Sequence, residues 1–211
     1  MGADPRRLVL ARLGLLGALA TGLWPVSFAW AGRQIEEQLS HAVRTALSAA
    51  VGGSAPPEPI FTHAEERQAH GAWLQASSAR LARFMPHPVD RQEFLQTLWY
   101  ESRRAGLSLS LVLGLVQVES GFRKYAVSSA GAMGYMQIMP FWSRLIGDGD
   151  VGRLFHMQTN LRFGCVILRH LLDRENGDLF LGLGRYNGSR GQAAYPQAVM
   201  AAQRQWLQAV D

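Results

Sequence analysis

Residues 107 to 119 constrain the fold more than any other part of the chain. Leu107, Leu109, Leu111, Val112, Leu113, Leu115, Val116 and Val118 are spread over every face of a helix. A helix apolar on all sides is a buried one. It is therefore expected to be the central helix of the core, and everything else must be arranged around it. The run ends in Glu119, which places a carboxyl group where its charged form is poorly solvated. Burial raises a carboxyl pKa, and the negative end of the helix dipole adds a smaller push in the same direction. A carboxylic acid kept protonated near neutral pH can act as a proton donor. From its position alone, the plainer reading of Glu119 is that it marks where the helix reaches water.

The flanking segments also read as helices. Arg91 to Ala105 is amphipathic, with Phe94, Leu95, Leu98 and Trp99 on one face and Gly106 as its stop. Residues 121 to 138 contain Gly121, Gly131 and Gly134, which predicts a turn-rich stretch or small hairpin. Pro140 suits the first turn of a short helix. Thr159 to Arg174 carries an apolar face that includes Cys165, and two further helices are expected near Leu179 to Tyr186 and Pro196 to Ala209. The fold class is mainly α, with residues 88–211 as one domain.

Upstream, Arg6, Arg7 and Arg12 precede an apolar run from Leu13 to Trp24, followed by the small-x-small triplet Ala29-Trp30-Ala31. That layout reads as a signal peptide over residues 1–31, with an uncleaved membrane anchor as the alternative. Adjacent Arg6 and Arg7 also fit twin-arginine export, and the route stays open. Residues 32–87 read as a helical spacer with a Pro/Gly linker at 51–60. Ile35, Leu39, Val43 and Leu47 recur at helical spacing, and Thr62 with Glu65 forms a capping-box pattern that opens a second helix through about Arg83.

Composition excludes more than it assigns. The formal charge of the whole chain is +5, and loss of residues 1 to 31 removes three arginines and one aspartate, leaving a mildly basic surface that suits an anionic cell-wall polymer, nucleic acid or no charged partner at all equally well. Export argues against nucleic acid as a partner. The lone Cys165 cannot form an internal disulfide or a cysteine metal site, and the six histidines show no ligand spacing. Neither metal nor cofactor is expected.

Glu119-Ser120-Gly121-Phe122, Ala126-Val127-Ser128, Gly131 to Pro140, and Arg185-Tyr186-Asn187-Gly188 are each weak signals, but they occur in one order and at one spacing. Together they make residues 88 to 200 resemble the soluble-type lytic transglycosylases, enzymes of goose-type lysozyme-like fold that cleave the MurNAc-GlcNAc β-1,4 bond of peptidoglycan. The resemblance implies that Glu119 is the general acid and then the general base. It implies that Ser128 and Gln137 contact the sugar near the scissile bond with Met136 beside them, and that Tyr186 and Asn187 face Glu119 across a groove. The chain departs from the usual pattern at Tyr135, where leucine is common, and at Arg185 and Gly188-Ser189, where smaller residues are common. The expected partner is the peptidoglycan glycan strand and the expected state a periplasmic monomer. Two rivals remain, a hydrolytic muramidase and a non-catalytic peptidoglycan-binding module. Residues 120 to 147 hold no Asp or Glu, whereas a hydrolase normally uses a second carboxylate. A 1,6-anhydromuramoyl product, closed by the substrate's own C6 hydroxyl, is the outcome this absence favours.

Overall fold

The computed structural model describes residues 34–52 and 59–207. The expected signal peptide and most of the expected linker lie outside the described residues. Among the described residues, eight α-helices follow one another: α1 His41–Val51, α2 Ala64–Leu81, α3 Pro88–Arg104, α4 Leu109–Ser120, α5 Pro140–Ile146, α6 Met157–Arg174, α7 Leu179–Asn187 and α8 Ala194–Trp206. A short 3₁₀ turn, Val151–Phe155, precedes α6. The mainly α expectation holds, and the turn-rich segment is present as two isolated antiparallel bridges, Val127 with Met133 and Met133 with Ile138.

The apolar run becomes α4 and is buried along most of its length. Ser108 caps its start by accepting the Leu111 amide at 3.3 Å, and Gly121 ends it in the left-handed conformation at φ 58°, where a side chain would be strained. α4 packs most extensively against α8. That approach requires Gly114, because a Cβ there would lie 2.6 Å from the Gln203 backbone nitrogen. Beyond α4, the core is closed by Phe94 and Leu98 of α3, Leu161 and Leu168 of α6, Leu183 and Tyr186 of α7, and Tyr195 and Val199 of α8.

A buried ion pair ties α3 to α6. Arg162, 5% exposed, donates through two nitrogens to Oε1 of Glu101, 1% exposed, at 2.9 and 2.8 Å. Arg104 adds a bond to the other oxygen at 3.3 Å. Two charges removed from water together in this way retain the attraction that each alone would lose.

The N-terminal third differs from the sequence reading in three respects. Ser40, not a residue near Ile35, caps α1 by accepting the Val43 amide at 3.3 Å, so Ile35 and Leu39 lie ahead of the helix in a segment without regular secondary structure. The capping box does not form. α2 begins after His63, which makes no side-chain cap bond, and Thr62 falls outside the helix. Glu65 and Glu66 in the first turn complement the dipole instead. Finally, residues read as a spacer are packed onto the body: Leu47, Trp73 and Leu81 belong to the same core as α4. Their helices rest on α5 and α6 and on α3, respectively. No described helix is long and apolar enough to cross a membrane.

Candidate active site

Glu119 lies in the last turn of α4 and is 1% exposed. Its Oε1 accepts the Tyr195 hydroxyl at 2.5 Å, while Oε2 is closed off from solvent without a partner. Burial pushes its pKa up to about 8, against the opposing pull of the Tyr195 hydrogen bond. The carboxyl is therefore largely protonated at neutral pH, the state that a general acid needs. It also has a donor in place for the moment when it becomes a carboxylate.

Tyr195 is a site residue that sequence reasoning misses. It is set by the first turn of α8, which carries it to the C-terminal end of α4, and it is fully buried. Its own proton is held more firmly than usual, by burial first and then by the Glu119 charge and the bond to it. The only sequence signal is an aromatic residue beside Pro196 at the start of a helix, which names no partner.

Tyr186, at the end of α7, is also fully buried. Burial and then the Glu119 charge raise its pKa, so the ring lies within the field of the carboxyl. Its hydroxyl, however, donates to the Met136 carbonyl at 2.8 Å rather than to Glu119. Asn187 follows at the helix end, 6% exposed, with its Nδ2 buried and unpartnered.

The other expected residues belong to the loop between α4 and α5. Met136 is fully buried and its amide donates to Asn160 Oδ1 at 2.8 Å. Gln137 adopts φ 50° and is 1% exposed. Its Nε2 donates to the Ala126 and Gly134 carbonyls at 3.1 and 2.9 Å. Ser128 closes a tight turn, its Oγ accepting the Ala132 amide at 3.0 Å. In this structure the three residues hold the loop in shape, and the loop is attached to α4 where Ser120 Oγ donates to the Tyr135 carbonyl at 2.7 Å. The Tyr135 side chain, one of the departures from the common pattern, packs its ring 5.0 Å from that of Phe94.

Asn160 is a second residue without a sequence signal. Fully buried on α6, it donates through Nδ2 to the Met133 and Leu154 carbonyls at 2.9 and 2.7 Å and so fixes the loop from below. Backbone groups of a buried irregular segment depend on such partners.

Burial raises the Glu119 pKa and the Tyr195 hydrogen bond lowers it. Asp148 is occupied by Arg153 and by the Asp150 amide at 3.0 Å. Asp150 in turn accepts the Gly152 amide at 2.9 Å. Among the described residues, no group of three or more His, Cys, Asp or Glu side chains could hold a metal ion. Cys165 is buried, and burial drives its thiol pKa upward. What remains is one neutral acid with one hydroxyl donor, able to give a proton and take one back.

The family model of the Transglycosylase SLT domain matches residues 98–207. A transglycosylase of Enterobacteria phage PRD1 is 34% identical over 115 residues, which is 51% of this chain and 42% of the phage protein. A membrane-bound lytic murein transglycosylase C of Glaesserella parasuis is 44% identical over 93 residues, 40% of this chain and 26% of that protein. Among solved structures, the lytic transglycosylase Slt of Pseudomonas aeruginosa, in an inactive mutant form, aligns at 22% identity with a TM-score of 0.43, covering 68% of this chain and 31% of that one. The chain thus spans less than half the length of these relatives.

Proposed function

Since the chain belongs to the transglycosylase SLT domain family, we propose that it is a lytic transglycosylase that cleaves the MurNAc-GlcNAc β-1,4 bond of peptidoglycan and leaves a 1,6-anhydromuramoyl end. The observation that carries this reading is the buried carboxyl of Glu119, with a pKa of about 8 and the Tyr195 hydroxyl 2.5 Å from its Oε1. A neutral Glu119 protonates the glycosidic oxygen as the bond to C1 breaks. The substrate's N-acetyl group supports the charge developing at C1. The ionised Glu119, stabilised by Tyr195, then takes the proton from the C6 hydroxyl as that oxygen closes on C1. The proton count balances and no water is consumed. Ser128, Met136, Gln137, Tyr186 and Asn187 hold in shape the loop and the α7 terminus against which the sugar lies. The cell envelope is the place of action, supported by the leader-like residues 1–31 and by the membrane-bound relatives.

The test is digestion of purified peptidoglycan in ¹⁸O-labelled water with mass spectrometry of the products. Anhydro ends without label are expected. Label at the new reducing end would assign a hydrolase. Glu119→Gln should cut the rate by at least roughly 10²-fold with circular dichroism unchanged, and a wild type that binds strands without cutting them would assign a binding module.

A further inference from the structure

If Glu119 is to protonate a glycan, part of the surface must move, because the residue is 1% exposed and its Oε2 is fully closed off. α8 is packed on both α4 and α7, and the loop between α4 and α5 is closed by its own backbone hydrogen bonds. Residues 34–39 are held differently. They have no regular secondary structure, and among the described residues they make no backbone–backbone hydrogen bond. Side chains alone attach them. Gln34, 6% exposed, accepts the Met139 amide at 3.4 Å and lies beside the Tyr186 hydroxyl. Glu37 pairs with Arg174 and, at 3.1 Å, with Arg185.

A cavity of about 70 Å³ lies along this segment, with Gln34, Glu37, Trp142, His170, Arg174 and Arg185 in its wall. The polar atoms around it are poorly matched. Trp142 Nε1 and His170 Nε2 are buried without partners, as are Asn187 Nδ2 and Ser189 Oγ on either side of Gly188, which also lines the cavity. Buried polar groups in a finished interior are normally satisfied, so this many together point to a surface shaped for something else. With Glu37 in place, the guanidinium groups of Arg174, Arg185 and Arg190 face two carboxylates. Arg190 and Arg185 already share Glu175, whose pKa they pull down to about 2 through hydrogen bonds. Without Glu37, three guanidinium groups would face one carboxylate.

We propose that residues 34–39 are an intramolecular competitor for the substrate. Glu37 occupies a site, formed by Arg174 and Arg185, that takes a free carboxylate of the peptide carried by the glycan strand. Arrival of that carboxylate releases the segment from beside Tyr186 and opens the way to Glu119. Planar guanidinium pairs suit a carboxylate of either origin. Arg185 stands where the resembling family commonly has a small residue, so the site is a property of this sequence. The inference rests on the proposed function and narrows its substrate to strands that still bear their peptides. A tethered competitor lowers apparent affinity by the fraction of time it is in place.

Cleavage rates on peptide-bearing peptidoglycan and on strands stripped of peptide by an amidase test this, using the full chain, Glu37→Gln and Arg174→Ala. The wild type should prefer peptide-bearing strands. Glu37→Gln should raise kcat/KM on stripped strands by about 3- to 10-fold, the scale of two partly exposed ion pairs. Arg174→Ala should abolish the preference and, because it also unseats Glu37, raise kcat/KM on stripped strands as Glu37→Gln does. Cutting after Glu36 and Glu37 by a glutamate-specific protease should quicken when peptide-bearing fragments bind. Equal wild-type rates on both substrates, no gain in Glu37→Gln, or unchanged proteolysis would each overturn the competitor while leaving the proposed function standing. If neither substrate is cut by any form, the proposed function fails, and the competitor with it.

Discussion

The Tyr195 hydroxyl and Glu119 Oε1, 76 residues apart in sequence, meet at 2.5 Å inside the protein. The pair joins the end of α4 to the start of α8 and sets the acidity of the carboxyl from two directions, because burial raises its pKa and the hydroxyl lowers it. Tyr195 is thus a positioning and tuning group for the proposed acid.

Tyr195→Phe removes the opposing influence, so the Glu119 pKa should climb above its present value of about 8. The alkaline limb of kcat/KM should move to higher pH by the same amount. The rate below that limb should fall roughly 10- to 100-fold, since a hydrogen bond to a charged group contributes about 1.5–3 kcal/mol and the ionised glutamate loses one. A pH profile that keeps its limb in place while the rate drops would mean that Tyr195 only fills space.

Stability should carry the same signature. Glu119 titrates at about 8 in the folded protein against 4.5 in an open chain, so between those values the folded state holds a proton that the unfolded chain has released. Unfolding free energy must fall as pH rises through that window and level off above it. Glu119→Gln lacks the titration. Relative to this variant, the wild type should be little different at about pH 4 and less stable by a few kcal/mol above about pH 8, since each pH unit across the window costs about 1.4 kcal/mol. Urea unfolding at a series of pH values measures the difference, and parallel curves for the two proteins would refute the buried-acid assignment.

The parts of this arrangement that the sequence discloses are those governed by local pattern. α4 is legible because its apolar residues leave no face for water, and α5 because Pro140 can only begin a helix there. The Glu119 environment is legible for the same reason as α4. Tyr195 and Asn160 are not, because each acts through partners brought near only by the packing of α8 and α6, and a lone Tyr or Asn at helical spacing carries no address. Residues 34 to 39 mislead in the opposite way. Ile35 and Leu39 continue the helical spacing of Val43 and Leu47, but the Ser40 side chain takes the Val43 amide and ends the helix at its own position. Similarly, Trp73 and Leu81 look like the anchors of an isolated helix until α3 supplies the surface that covers them.

Arg162 and Glu101 make the strongest charged contact of the core, at 2.8 Å and nearly without exposure. Arg162→Ala leaves the carboxylate buried with only the more exposed Arg104 beside it. The expected loss is roughly 3–5 kcal/mol, the usual result of breaking such a pair from one side. Replacing both partners, as in Glu101→Leu with Arg162→Met, should recover most of it. If the double variant is no more stable in urea than Arg162→Ala, the pair is not what determines the cost.

Two helical glycines give a prediction with opposite signs. Alanine favours a helix over glycine by about 1 kcal/mol, so an unobstructed replacement should stabilise the protein. Gly71, in the interior of α2, has open space for 4 Å around the point where a Cβ would stand, and Gly71→Ala should raise stability by about 0.5–1 kcal/mol. Gly114 is the reverse case. A Cβ there would meet the Gln203 backbone at 2.6 Å from its nitrogen and 2.9 Å from its Cα, and backbone cannot swing aside as a flexible side chain can. α8 must withdraw from α4, at a cost of roughly 1–3 kcal/mol for overpacking that outweighs the propensity gain. Because α8 carries Tyr195, the same withdrawal should lengthen its bond to Glu119. Gly114→Ala should therefore lower the melting temperature and slow strand cleavage together, with the alkaline limb shifted upward as in Tyr195→Phe. A Gly114→Ala protein that melts higher, like Gly71→Ala, would show that α8 does not press on α4 at this point.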